Sequence, residues 1–124
     1  MPVANDLAEL LARLRSDPTA TIDTLRFAAA LRLEDAELAK QAGVHRSMVR
    51  AVPDHPLLQA YIHQALAVIG SVVELTNDLP RSVFWYRNEP IREFEFQSAE
   101  MLVARNRSDA VLSYLRTVAN GSSG

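Results

Sequence analysis

Three histidines, a basic cluster and no cysteine set the chemistry open to this chain of 124 residues. His45 has no histidine at i+4, and His55 and His63 stand eight residues apart, so no pair has the spacing of metal ligands on one helix face. Without cysteine there is neither a disulfide framework nor a thiolate metal site. The histidines are therefore read as surface residues, and zinc is not expected. No Gly-rich phosphate loop, Ser/His/Asp order with a nucleophile elbow, or carboxylate pair in an apolar setting can be picked out. The chain is expected to be no enzyme and to carry no cofactor.

The other polar constellation is His45, Arg46, Ser47 and Arg50, which follows Asp35-Ala36-Glu37-Leu38-Ala39-Lys40-Gln41-Ala42-Gly43-Val44. This is the spacing of a helix-turn-helix over about 35–52. Ala39 is small where a second helix must cross, Gly43 can supply a positive φ, Val44 plugs the corner and Val49 faces inward. In such a unit the N-terminal residues of the second helix meet DNA, which makes His45, Arg46, Ser47 and Arg50 candidates for base or phosphate contact. The alternative is a structural helical core without DNA contact. It is favoured by the formal charge of −2, from 13 Lys and Arg against 15 Asp and Glu, and by Val52-Pro53, which cut the second helix short.

The elements that position these residues read as helices. Leu7, Leu10, Leu11 and Leu14 form one stripe that Asn5 or Asp6 can cap, and Ser16-Asp17-Pro18-Thr19 ends it. Thr21 can cap a second helix through Ile22, Leu25 and Ala28. After Pro56, a long stripe of Leu58, Tyr61, Ile62, Ala65, Leu66, Ile69, Val72 and Val73 predicts a central beam. Leu57, Val68 and Leu75 widen its apolar arc, so it is either buried on two sides or shared with a second subunit. Asn77-Asp78-Leu79-Pro80 stops it and opens a helix carrying Val83, Phe84 and Trp85, which Asn88-Glu89-Pro90 ends. Residues 91–97 read as a loop with buried anchors. Ser98 starts a short helix ending at Asn106, and Ser108 starts a last one closed by Asn120-Gly121. The fold class is all-α: a helix-turn-helix-containing bundle over 1–78 and a small helical module over 79–124. No apolar run approaches the roughly 18 to 20 residues that span a bilayer, and no secretory signal opens the chain, so a cytoplasmic protein without membrane contact is expected.

The segment from Phe84 to Gly121 resembles the toxin-binding domain of Xre/MbcA/ParS-type antitoxins. Trp85, Asn88, Pro90, Leu102, Val111, Leu115 and Gly121 match the pattern position by position, and an upstream Xre-like helix-turn-helix is the family's usual layout. Where the family commonly has a glycine pair, this chain has Glu95-Phe96, so the tight turn must be rebuilt or Phe96 exposed. That phenylalanine either fills a pocket in a partner or packs at home. Asn106 replaces another glycine and can adopt the left-handed conformation at modest cost.

The resemblance implies an antitoxin paired with a RES-domain toxin, an enzyme that consumes or transfers ADP-ribose from NAD, with the antitoxin's C-terminal region closing the NAD pocket. On that reading the toxin-facing candidates are Tyr86, Arg87, Phe96, Arg105, Asn106, Arg107, Tyr114, Arg116, Asn120 and Gly121. The arginines near the Gly121 end can meet a polar or acidic cleft rim, tyrosine is enriched at interfaces, and Trp85 is assigned to the core. The antitoxin is expected to form a homodimer and to repress its own operon through operator DNA. The rival is a stand-alone transcriptional regulator whose C-terminal module only dimerises.

Overall fold

A computed structural model describes residues 3–121 and, from Asp6 onward, their side chains. The expected all-α class holds. The helices are α1 (Val3–Ser16), α2 (Thr24–Leu31), α3 (Asp35–Ala42), α4 (Met48–Ala51), α5 (Pro56–Thr76), α6 (Leu79–Asn88), α7 (Ala99–Ala104) and α8 (Ser108–Ala119), with a 3₁₀ turn at Arg92–Phe94. Among the described residues the extended pairing is confined to one isolated bridge between Ile91 and Gln97.

The chain packs as two compact units, Met1–Leu66 and Ala67–Gly124. The division falls within α5 rather than at 78/79, because the second half of that helix packs with the C-terminal helices: Ser71, Glu74 and Leu75 line one groove with Leu112, Leu115 and Arg116 of α8. At 21 residues, α5 is also long and apolar enough by length and composition to cross a membrane, which corrects the expectation that no run reaches that length. Its stripe Leu58, Ile62, Leu66 and Ile69 is buried within the protein.

In the first unit the leucine stripe of α1 is inside at Leu7, Leu10 and Leu11, together with Phe27, Leu31, Leu38, Val49 and Ile62. Each such side chain contributes about 1.5–3 kcal/mol by leaving water. The Phe27 and Tyr61 rings meet edge to face at 6.3 Å. Two caps differ from expectation. α1 already runs from Val3, so Asp6 sits in its first turn and, with Glu9, pairs with Arg26 at 2.9 and 2.8 Å; the Asn5 side chain lies outside the described residues. α2 starts at Thr24, capped by Asp23, which accepts the Arg26 N–H. Thr21 stays outside, because Ile22 is buried ahead of the helix and its backbone is claimed by Gln59 of α5. That amide accepts the Ile22 N–H and donates to the Ile22 and Pro53 carbonyls.

The helix ends of the second unit follow the sequence more closely. Asp78 caps α6 by accepting the Arg81 N–H, with Pro80 in its first turn, and Asn77 takes φ +52 between α5 and α6. Ser98 caps α7 by accepting the Met101 N–H. Asn106 turns out of α7 at φ +62 and Gly121 follows α8 at φ +65, as their types predict. The core holds Tyr86, Ile91, Leu102, Val103, Val111 and Leu115.

Candidate functional site

Each unit presents one candidate. In the first, α3 ends on Gly43 at φ +78, with open space where a Cβ would lie. The Gly43 and Val44 N–H groups both donate to the Ala39 carbonyl at 2.9 and 3.0 Å. Ala39 and Val49 are buried and Val44 is half-buried. The second helix, however, is the single turn α4. Val52 leaves the helical region at φ −136 ahead of Pro53, as the restriction on residues before proline dictates. His45, Arg46 and Ser47 thus sit in the turn before α4, exposed, with the His45 imidazole Nδ1 2.9 Å from the Ser47 hydroxyl. Arg50 donates through Nε to Asp35 at 2.7 Å, bridging α4 to the start of α3.

In the second unit the loop 91–97 folds back on Ile91. The Ile91 N–H donates to the Gln97 carbonyl at 3.0 Å, and the Phe94 and Phe96 N–H groups converge on the Ile91 carbonyl, both at 2.9 Å. Closing so tight a loop takes two consecutive left-handed residues, and these are Glu95 at φ +54 and Phe96 at φ +65. Without glycine each costs roughly 1–2 kcal/mol, and a bulky side chain there is a genuine outlier. Phe96 is 66% exposed, so burial of its ring offsets little of that cost. Of the two outcomes the sequence left open for this departure, rebuilding the turn or exposing Phe96, the structure shows both. Gln97 braces the loop by donating to the Phe94 carbonyl and accepting from Arg105 at 2.6 Å.

Beside this loop Phe94 meets Tyr114 of α8 edge to face at 5.9 Å, and the Arg107 guanidinium stands 5.4 Å from the Phe94 ring centroid. Glu93, Phe94, Ser113 and Tyr114 line a groove of 620 Å³. Burial, then Glu93 and Glu89, raise the Tyr114 phenol above its ordinary pKa. Three candidates from sequence, Arg105, Arg107 and Tyr114, are thereby tied to one loop. Asn106, Asn120 and Gly121 are exposed at helix ends, and Arg116 belongs to the other side of α8, in the groove shared with α5.

Two candidates must be corrected. Tyr86 is fully buried and cannot meet a partner. Arg87 is turned inward, donating through Nε to the buried Glu100 of α7 at 2.9 Å. Trp85, assigned to the core, is only half-buried, so the anchoring aromatic is its neighbour. The phase of α6 explains the exchange: Ser82 and Tyr86, at i and i+4, face the core, which turns Arg87 toward α7 and leaves Phe84, 65% exposed, outside. A buried serine gives no apolar signal, so hydrophobic periodicity missed the phase. Phe94, Glu93 and Phe84 are the surface residues that sequence reasoning did not single out; the Phe84/Tyr86 alternation around Trp85 was the available clue. No group of three metal-ligating side chains gathers among the described residues. No family model, curated protein or solved structure matches the chain.

Proposed function

We propose that the protein is a non-catalytic, cytoplasmic antitoxin whose second unit masks the NAD pocket of a RES-domain toxin. The observation that carries this reading is the exposed phenylalanine held in left-handed backbone beside a second left-handed residue. Strain of this kind persists only where the surrounding structure enforces it, and it gathers at sites of function. A chain that keeps it while leaving the ring in water gains the ring's apolar area on binding, not on folding. The resemblance of Phe84 to Gly121 to the antitoxin domain supports the same assignment, because Glu95-Phe96 occupies the place of that family's glycine pair. Phe96 is the anchor that enters the toxin, and Arg105, through Gln97, holds the loop that carries it.

The first unit contributes operator contact through His45, Arg46 and Ser47, which are exposed in the turn ahead of α4. Co-expression with the product of the neighbouring gene, followed by size exclusion with light scattering and an assay of NAD loss, tests the proposal. A stable complex with NAD preserved is the expected result. A RES-domain neighbour that forms no complex and consumes NAD unabated would contradict it, and so would a neighbour with no RES domain.

A further inference from the structure

The groove beside the strained loop combines three features that suit one chemical class of ligand. Its floor is aromatic, formed by Tyr114 with Phe94 set edge to face against it. One wall is the side of α8 carrying Ala110, Ser113 and Val118, short side chains along which an aliphatic stem can lie. Glu93 also lines the groove, and both Glu93 and Glu89 act electrostatically on the Tyr114 phenol. Arg107 offsets part of this negative charge, and by standing over Phe94 it makes within the chain a pairing of guanidinium with aromatic ring.

We propose that this groove binds an arginine side chain presented by a partner polypeptide, with the stem along the α8 side of the groove and the guanidinium between the Tyr114 ring and the Glu93 carboxylate. Arginine suits it better than lysine, because the planar guanidinium stacks on aromatic faces and is less strongly hydrated. The identity of the partner rests on the toxin-masking reading: an enzyme that receives an anionic pyrophosphate uses arginines to hold it, and a masking protein can engage them through its own carboxylates. The chemistry of the groove itself does not depend on that reading.

The test titrates the intact, ¹⁵N-labelled chain with acetyl-Gly-Arg-Gly-amide and with the same peptide carrying lysine or norleucine. The arginine peptide is expected to move the amide resonances of Ser113, Tyr114 and Thr117, the lysine peptide to do so more weakly, and the norleucine peptide not at all. Glu93→Gln should weaken the arginine peptide roughly three- to fivefold, as for one partly exposed charge pair, with helicity unchanged by circular dichroism. Unmoved amides would overturn the proposal, as would equal shifts with norleucine. Shifts that follow dilution of the chain alone would assign the groove to a second copy and overturn it as well. No toxin enters this experiment, so its failure is distinct from failure of toxin masking.

Discussion

Gly43 and the pair Glu95-Phe96 close comparable turns by opposite means. In the first unit the chain must leave α3 and enter α4 within a few residues, and it uses the one residue type for which φ +78 costs no steric clash. In the second unit a turn that also needs positive φ is made of a carboxylate and a phenyl ring, and the ring is left in water. Buried ionic contact differs in the same direction. The first unit's Arg50–Asp35 bridge is mostly exposed on the arginine side, whereas Arg87–Glu100 in the second lies largely inside, at 23% and 12% side-chain exposure. The second unit thus carries backbone strain in its surface loop above a largely buried ion pair, an arrangement that suits the proposed recognition role.

This contrast can be broken most severely at the anchors. Tyr86→Ala should cost about 4 kcal/mol, in the range for large core aromatics, whereas Phe84→Ala two residues away should stay within about 0.5 kcal/mol. Urea denaturation of the two variants checks this, and similar losses would contradict the assigned phase of α6. Arg87→Ala should cost about 3 kcal/mol by removing the 2.9 Å cationic partner of the buried Glu100 carboxylate, read as a drop in the denaturation midpoint. Arg50→Ala, by comparison, should lose less than about 1 kcal/mol.

The turns themselves give smaller effects of opposite sign. Gly43→Ala should destabilise by about 1 kcal/mol, because any Cβ disfavours φ +78 even in open space, and Glu95→Gly should stabilise by a similar amount. Thermal unfolding separates the two, and a destabilised Glu95→Gly would contradict the strain assigned to the loop. The smallest effect concerns Tyr114, whose pKa is raised in the fold. The unfolded chain then releases that proton first. Stability is accordingly full below about pH 10, the ordinary tyrosine value, and declines as the pH rises through the folded value. Tyr114→Phe should abolish this decline, and coincident alkaline profiles for the two proteins would contradict it.

Much of this architecture was legible in the residue types. Asp78 and Ser98 cap helices, Asn106 and Gly121 take left-handed backbone, and the leucine stripe of α1 is inside, because each depends on local chemistry or on a long period. The features that escaped depend on distant partners. The start of α2 is fixed by Gln59, which claims the Ile22 backbone from 37 residues away. The inward turn of Arg87 needs Glu100 on another helix, and the burial of Tyr86 depends on a phase of α6 marked only by a serine. For the candidate site, the sequence pointed to Phe96 and to Arg105, Arg107 and Tyr114 around it. It did not reveal that Glu93 and Phe94 complete a groove with Tyr114, since that needs the 3₁₀ turn set against α8.

On the proposed masking role, the strained, exposed Phe96 serves a partner and not the fold. The most direct measurement compares the chain with Phe96→Gly in an NAD-consumption assay with the proposed RES-domain partner, alongside thermal unfolding of each protein. The expected result is a variant that is more stable by about 1 kcal/mol and yet fails to protect NAD. A variant that protects as well as the original chain would contradict the claim.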